Sequence, residues 1–156
     1  MAFLKIVSEE QRIDKLSKDL RTAAFESDIL QHVYSSHLVL LAAGHVEQSV
    51  IAVLFEYGRA HGNSHIKRFI EKSVERNNSL NCEKIKKILD LFDPSWWPQV
   101  QALSSDAERD AVDSLKTLRD QVAHGKRNGT GFSVVDGYCK EVRSFVRKVS
   151  LVVIGY

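Results

Sequence analysis

Residues 38–55 read Leu38-Val39-Leu40-Leu41-Ala42-Ala43-Gly44-His45-Val46-Glu47-Gln48-Ser49-Val50-Ile51-Ala52-Val53-Leu54-Phe55, and this run decides the fold. Its apolar residues occupy most of a helical circumference, which places a helix at the centre of a bundle. The run is apolar enough to raise the question of a membrane span. However, His45, Glu47, Gln48 and Ser49 stand near its middle, where polar groups cost most in lipid. It reads as a buried core helix from about Ser36 to Arg59, ending at Gly62-Asn63, with a start that could lie nearer Ser27.

Amphipathic segments flank this run on both sides. From Ser8, a plausible N-cap, to Ala24, the residues Ile13, Leu16 and Leu20 recur at helical spacing among charges. Ser64 caps an expected third helix with Ile66, Phe69, Ile70 and Val74 on its inner face, and Asn81 opens a fourth with Ile85, Ile88, Leu89 and Phe92. Asp93-Pro94-Ser95-Trp96-Trp97-Pro98 breaks the pattern, its tryptophans suited to plugging a bundle end. Ser105 and Glu108 form a capping box for a fifth helix that ends at Gly125, and Ser133 with Asp136 predicts another box for a last helix running to about Ile154. No stretch shows strand alternation. The expectation is an all-α, up-and-down bundle of five to six helices, one domain over residues 1–156.

The bulk numbers agree. A chain of 156 residues suits one domain, and 44% hydrophobic with 27% charged residues is ordinary for a globular protein. Twenty-two Lys+Arg against 20 Asp+Glu give +2, too balanced to announce a nucleic-acid binder by overall field. Cys82 and Cys139 lack metal-ligand spacing and read as free thiols in a reducing, cytoplasmic setting. No secretory core stands in Met1–Glu10. His61 and His65 could ligate zinc with Cys82, but a fourth ligand is missing. His45-Val46-Glu47 lacks the Pro-Cys-x-x-Cys partner that a zinc deaminase needs. No metal and no cofactor is expected.

One cluster carries chemistry. Arg119-Asp120-Gln121-Val122-Ala123-His124-Gly125 gathers a permanent cation, a carboxylate and an imidazole within two turns. Arg is a planar donor to phosphate oxygens, and His moves a proton near neutral pH. Arg59 and His65 stand at a similar spacing, but across the Gly62-Asn63 break. With Ala111, Leu115, Leu118 and Val122 as the core stripe, Asp120 and His124 share a face roughly 160–200° from Leu118 and point outward. Asp120, one turn before His124, is placed to hydrogen-bond its imidazole. Arg119 and His124 lie roughly 140° apart on an ideal helix. They converge on one phosphate only if the last turn loosens toward Gly125, or if a second copy supplies the other half. Around them, Lys126 and Arg127 follow directly, and Lys140, Arg143 and Arg147 recur at i, i+3, i+7 on the last helix as a positive stripe. These five are candidate phosphate contacts.

In these features the chain resembles HEPN domains, most closely the RiboL-PSP-HEPN branch. The resemblance covers most of the chain: the apolar helix with Gly44-His45-Val46-Glu47, a middle segment ending in Leu91-Phe92, the run Leu118 to Gly125, and a closing amphipathic helix. It implies a metal-independent endoribonuclease, usually a homodimer whose two motifs face across a cleft. Arg119 would then stabilise charge on the scissile phosphate, His124 would transfer a proton to or from the ribose 2′-oxygen, and Asp120, where Asn is common, would orient both. The expected product is a 2′,3′-cyclic phosphate. Glu47 would be a hydrogen-bond partner of Arg119 or a part of the site. The implied partners are RNA, a second copy, and an antitoxin or defence-system protein; no membrane is implied. Other members of the family have lost catalysis and serve as interaction or nucleotide-binding modules, which is the alternative here.

Overall fold

A computed structural model describes residues 2–23, 27–62, 68–70, 72, 79–126 and 129–155. Every regular element among these is a helix: α1 (Ala2–Thr22), α2 (Asp28–His61), α3 (Cys82–Asp90), α4 (Trp96–Leu103), α5 (Asp106–Ala123) and α6 (Phe132–Ile154). Residues 68–70 and 72 are helical as well, while the expected Ser64 cap, Ile66 and Val74 lie outside the described residues. α2 packs against α1, α5 and α6, and α5 packs against α6. Short links join α1 to α2 and α5 to α6, so each of these packed pairs runs antiparallel.

The core forms where the stripes meet. Ile13 of α1, Leu38, Val39, Val50 and Leu54 of α2, Leu115 of α5 and Phe145 of α6 are essentially inaccessible to water. α2 is the one described helix long and apolar enough to cross a bilayer, yet 61% of its most apolar window is buried inside the bundle. It is a core helix, as its sequence implied. Its first turns differ: Ile29, Val33 and Leu40 are exposed. Ser35, Leu38 and Val39 on the opposite face of the same turns are buried, so here α2 is covered on one side only.

Several helix ends follow local chemistry. Ser27 caps α2 and accepts from the Leu30 N–H, Asn81 caps α3 through the Lys84 N–H, and Ser105 with Glu108 closes the expected reciprocal box. Two expected caps do not form. α1 begins at Ala2, leaving Ser8 inside the helix. α6 begins at Phe132 with Gly131 as N-cap and no side-chain cap, which leaves Ser133 inside the helix, and Asp136 is engaged in a tertiary contact instead. Its buried carboxylate accepts from Ser17 Oγ and from Arg21 Nη2 at 2.7–2.8 Å, tying α6 to α1. Burial alone would raise the Asp136 carboxyl; the Ser17 and Arg21 hydrogen bonds outweigh it and hold it below the usual carboxylate range. At the far end Trp96 meets the Tyr57 ring edge-on at 4.8 Å and stacks on Phe92 at 6.2 Å, the plug that the two tryptophans implied.

Candidate functional site

The end of α5 is locked. His124 is its C-cap, with φ −91° and ψ 13°, and Gly125 follows at φ +68°. The Gly125 N–H donates to Val122 O at 3.0 Å and the Lys126 N–H to Gln121 O at 2.9 Å. These two bonds are the paired closure of a Schellman motif, with glycine at the left-handed position that L side chains avoid. The last turn therefore does not loosen. Arg119 and His124 keep their helical offset of roughly 140°, and no hydrogen bond joins them.

Each motif side chain has its own surroundings. His124 is exposed, and its ring makes no hydrogen bond or ion pair among the described residues. Arg119 is about one-third exposed, with Nη1 3.6 Å from Asp120 Oδ1. Asp120 was expected to hold the imidazole but does not: Oδ2 takes Lys116 Nζ at 2.7 Å, and Oδ1 accepts from Ser79 Oγ at 3.0 Å. The Lys116 hydrogen bond, chiefly, then Ser79 and the charges of Lys116 and Arg119, hold its carboxyl below the ordinary range against the opposing effect of burial. Asp120 thus anchors Ser79, a buried residue in the left-handed region at φ 64° just before α3. Lys116 is legible as an i, i+4 partner. Ser79, 41 residues away in the chain, gives no local signal.

The expected Glu47–Arg119 hydrogen bond is not formed. Glu47 Oε1 is buried without a hydrogen-bond partner. Arg127 lies outside the described residues. The α6 stripe is committed to α1 and its own helix: Arg147 Nη2 meets Glu10 Oε2 at 2.8 Å, Arg143 Nη2 meets Asp14 Oδ1 at 2.5 Å, and Lys140 Nζ lies 3.5 Å from Asp136 Oδ2. Each of the three has a carboxylate neighbour, while Lys140 and Arg147 remain more than half exposed.

The other histidine readings resolve simply. His45 is fully buried, its Nδ1 3.3 Å from Ser49 Oγ, and desolvation lowers its pKa, which favours the neutral ring. His61 stacks on Tyr57 at 4.5 Å, and burial pushes the Cys82 thiol up to about 12, a poor thiolate donor. His65 lies outside the described residues.

A groove of 390 Å³ opens beside the motif, between the first turns of α2 and the end of α5. His32, Ser36 and His37 line it from one side and Lys126 from the other, with Val33 and Leu40 as apolar wall. Of its polar residues only Lys126 was legible in the sequence; His32, Ser36 and His37 belong to no Arg-to-His pattern.

No characterised protein and no solved structure matches the chain. The RiboL-PSP-HEPN family model matches residues 5–154, nearly the whole chain. With an all-α bundle built around a buried helix, and the Arg119-to-His124 run at a capped helix end, the chain belongs to the RiboL-PSP-HEPN family of HEPN domains.

Proposed function

We propose that this chain is a metal-independent endoribonuclease that works as a homodimer, with Arg119 and His124 as its catalytic residues. One observation carries the reading. The two groups sit at the capped end of one helix, His124 exposed and Arg119 partly so, and point to different sides of it. A phosphate gripped by both an Arg119 and a His124 is best met by the Arg119 of one copy and the His124 of another.

The chemistry follows. The ribose 2′-oxygen attacks the neighbouring phosphorus, its proton passes to a base, the bond from phosphorus to the 5′-oxygen breaks, and that oxygen takes up a proton. Products are a 2′,3′-cyclic phosphate and a 5′-hydroxyl. Two proton transfers occur at each site, and one His124 serves both in turn, taking the proton of the 2′-hydroxyl and giving one to the departing 5′-oxygen. Arg119 stabilises the charge that builds on the phosphate oxygens. Only RNA carries the internal 2′-hydroxyl, so substrate class follows from the nucleophile. A role as toxin or defence effector in the cytoplasm, held by an antitoxin or partner protein, fits such an activity.

A second reading, an interaction module without cleavage, has one observation in its favour: Asp120 serves Ser79 and Lys116 and leaves His124 without an orienting carboxylate. The experiment is RNA cleavage by purified protein in excess chelator. Cleavage that leaves cyclic phosphate ends, and is lost in Arg119→Ala and His124→Ala with folding intact, supports the nuclease. Full activity in both variants sinks the assignment, and a stable RNA or protein complex without any cleavage favours the module.

A further inference from the structure

The groove between α2 and α5 carries an inference that rests on the nuclease reading and goes beyond its motif. Its side chains His32, Ser36, His37 and Lys126 can all donate a hydrogen bond. Among the described residues none of the four makes a side-chain hydrogen bond or ion pair, and no carboxylate lines the groove. Elsewhere the same chemistry is matched inside the protein, as with Arg147 on Glu10 or Lys148 on Glu108. Uncommitted donors converging on one cleft, with apolar wall beside them, suit an anionic ligand that also has a flat apolar part.

We propose that this groove is a subsite for a nucleotide of single-stranded RNA next to the scissile phosphate, with Lys126 and the imidazoles of His32 and His37 on the phosphate and the Val33–Leu40 wall against the base. Size agrees: 390 Å³ falls within the span of small-molecule pockets, about 300–1,000 Å³. Position agrees as well. Gly125, the next residue after His124, forms part of the rim, so a strand leaving the catalytic phosphate enters the groove directly. The Schellman bond from the Lys126 N–H to Gln121 O fixes the backbone from which the ammonium reaches.

The test uses binding, not turnover. His124→Ala protein, which keeps every groove residue, is titrated against a short fluorescein-labelled single-stranded RNA of mixed sequence, read by anisotropy. Adding Lys126→Ala, or His32→Ala with His37→Ala, is expected to weaken binding about tenfold, the loss of one or two charge-assisted hydrogen bonds. Leu40→Ala is expected to weaken it about threefold, and Lys86→Ala on α3 to leave it unchanged. Circular dichroism checks that each variant is folded. Groove variants that bind like the parent, or a parent that binds no RNA, overturn the subsite. The two readings fail separately. If the variants keep full binding while wild-type protein still cleaves, the subsite is wrong and the nuclease stands. If the variants lose binding while wild-type protein never cleaves, the subsite stands and the nuclease falls.

Discussion

Lys140, Arg143 and Arg147 on α6, and His32, His37 and Lys126 around the end of α5, offer similar donors but meet opposite surroundings. The first set faces Asp136, Asp14 and Glu10: Arg143 and Arg147 tie α6 to α1, and Lys140 pairs within α6. The second set faces a groove that no carboxylate lines among the described residues. Basic residues at regular spacing are thus a poor guide to a nucleic-acid surface until the carboxylates on the neighbouring helix are placed. What separates a structural cation from a candidate binding cation is whether the fold has already paired it.

That contrast sets out measurable differences. The largest stability effect is expected on the structural side. Asp136→Ala removes a buried carboxylate that accepts from Ser17 and Arg21, and should cost about 2–3 kcal/mol, read by urea denaturation, with little change in RNA affinity of the folded protein. The same group gives the pH dependence its sign. Its folded-state pKa is depressed, as are those of Glu108 and Asp120. Their contribution is therefore fully present above the unfolded carboxylate value of about 4 and is lost as pH falls below it through the folded values. A stability profile that is flat from neutral pH down to about 3 would count against these pairings. Next comes Arg147→Ala, which strands the buried Glu10 carboxylate and should cost about 1–3 kcal/mol. Gly125→Ala should follow at about 1 kcal/mol, because its left-handed φ strains any side chain. Smallest is Lys126→Ala, expected to shift stability by less than about 0.5 kcal/mol. A large loss there would show that Lys126 is structural and would erase the contrast.

Much of the fold was legible because its signals are local. Asn81, Ser105 and Glu108 each satisfy backbone donors within three residues, and Ile85, Ile88, Leu89, Leu115 and Leu118 bury as their spacing dictates. The failures share one cause. Asp136 reads as a cap partner for Ser133, yet Arg21 and Ser17, more than a hundred residues earlier, claim its carboxylate. Glu10 and Asp14 pair with Arg147 and Arg143 of the α6 stripe in the same way. At the site, the Arg119-to-His124 run was visible as a motif, whereas Asp120's bond to Ser79 and the groove from α2 depend on which helices become neighbours. Periodicity reports what one helix does alone and stays silent on which neighbour answers it.

The claim at the centre of this account is that Arg119 and His124, held apart on one helix end, act together only across two copies. Co-expression of Arg119→Ala and His124→Ala chains tests it most directly, with RNA cleavage measured on the purified mixture. Each variant alone should be inactive. Random pairing should restore about a quarter of wild-type activity, since about half the dimers are mixed and each mixed dimer has one intact site of two. A mixture as dead as its parents, or a single variant that cleaves fully, would contradict it.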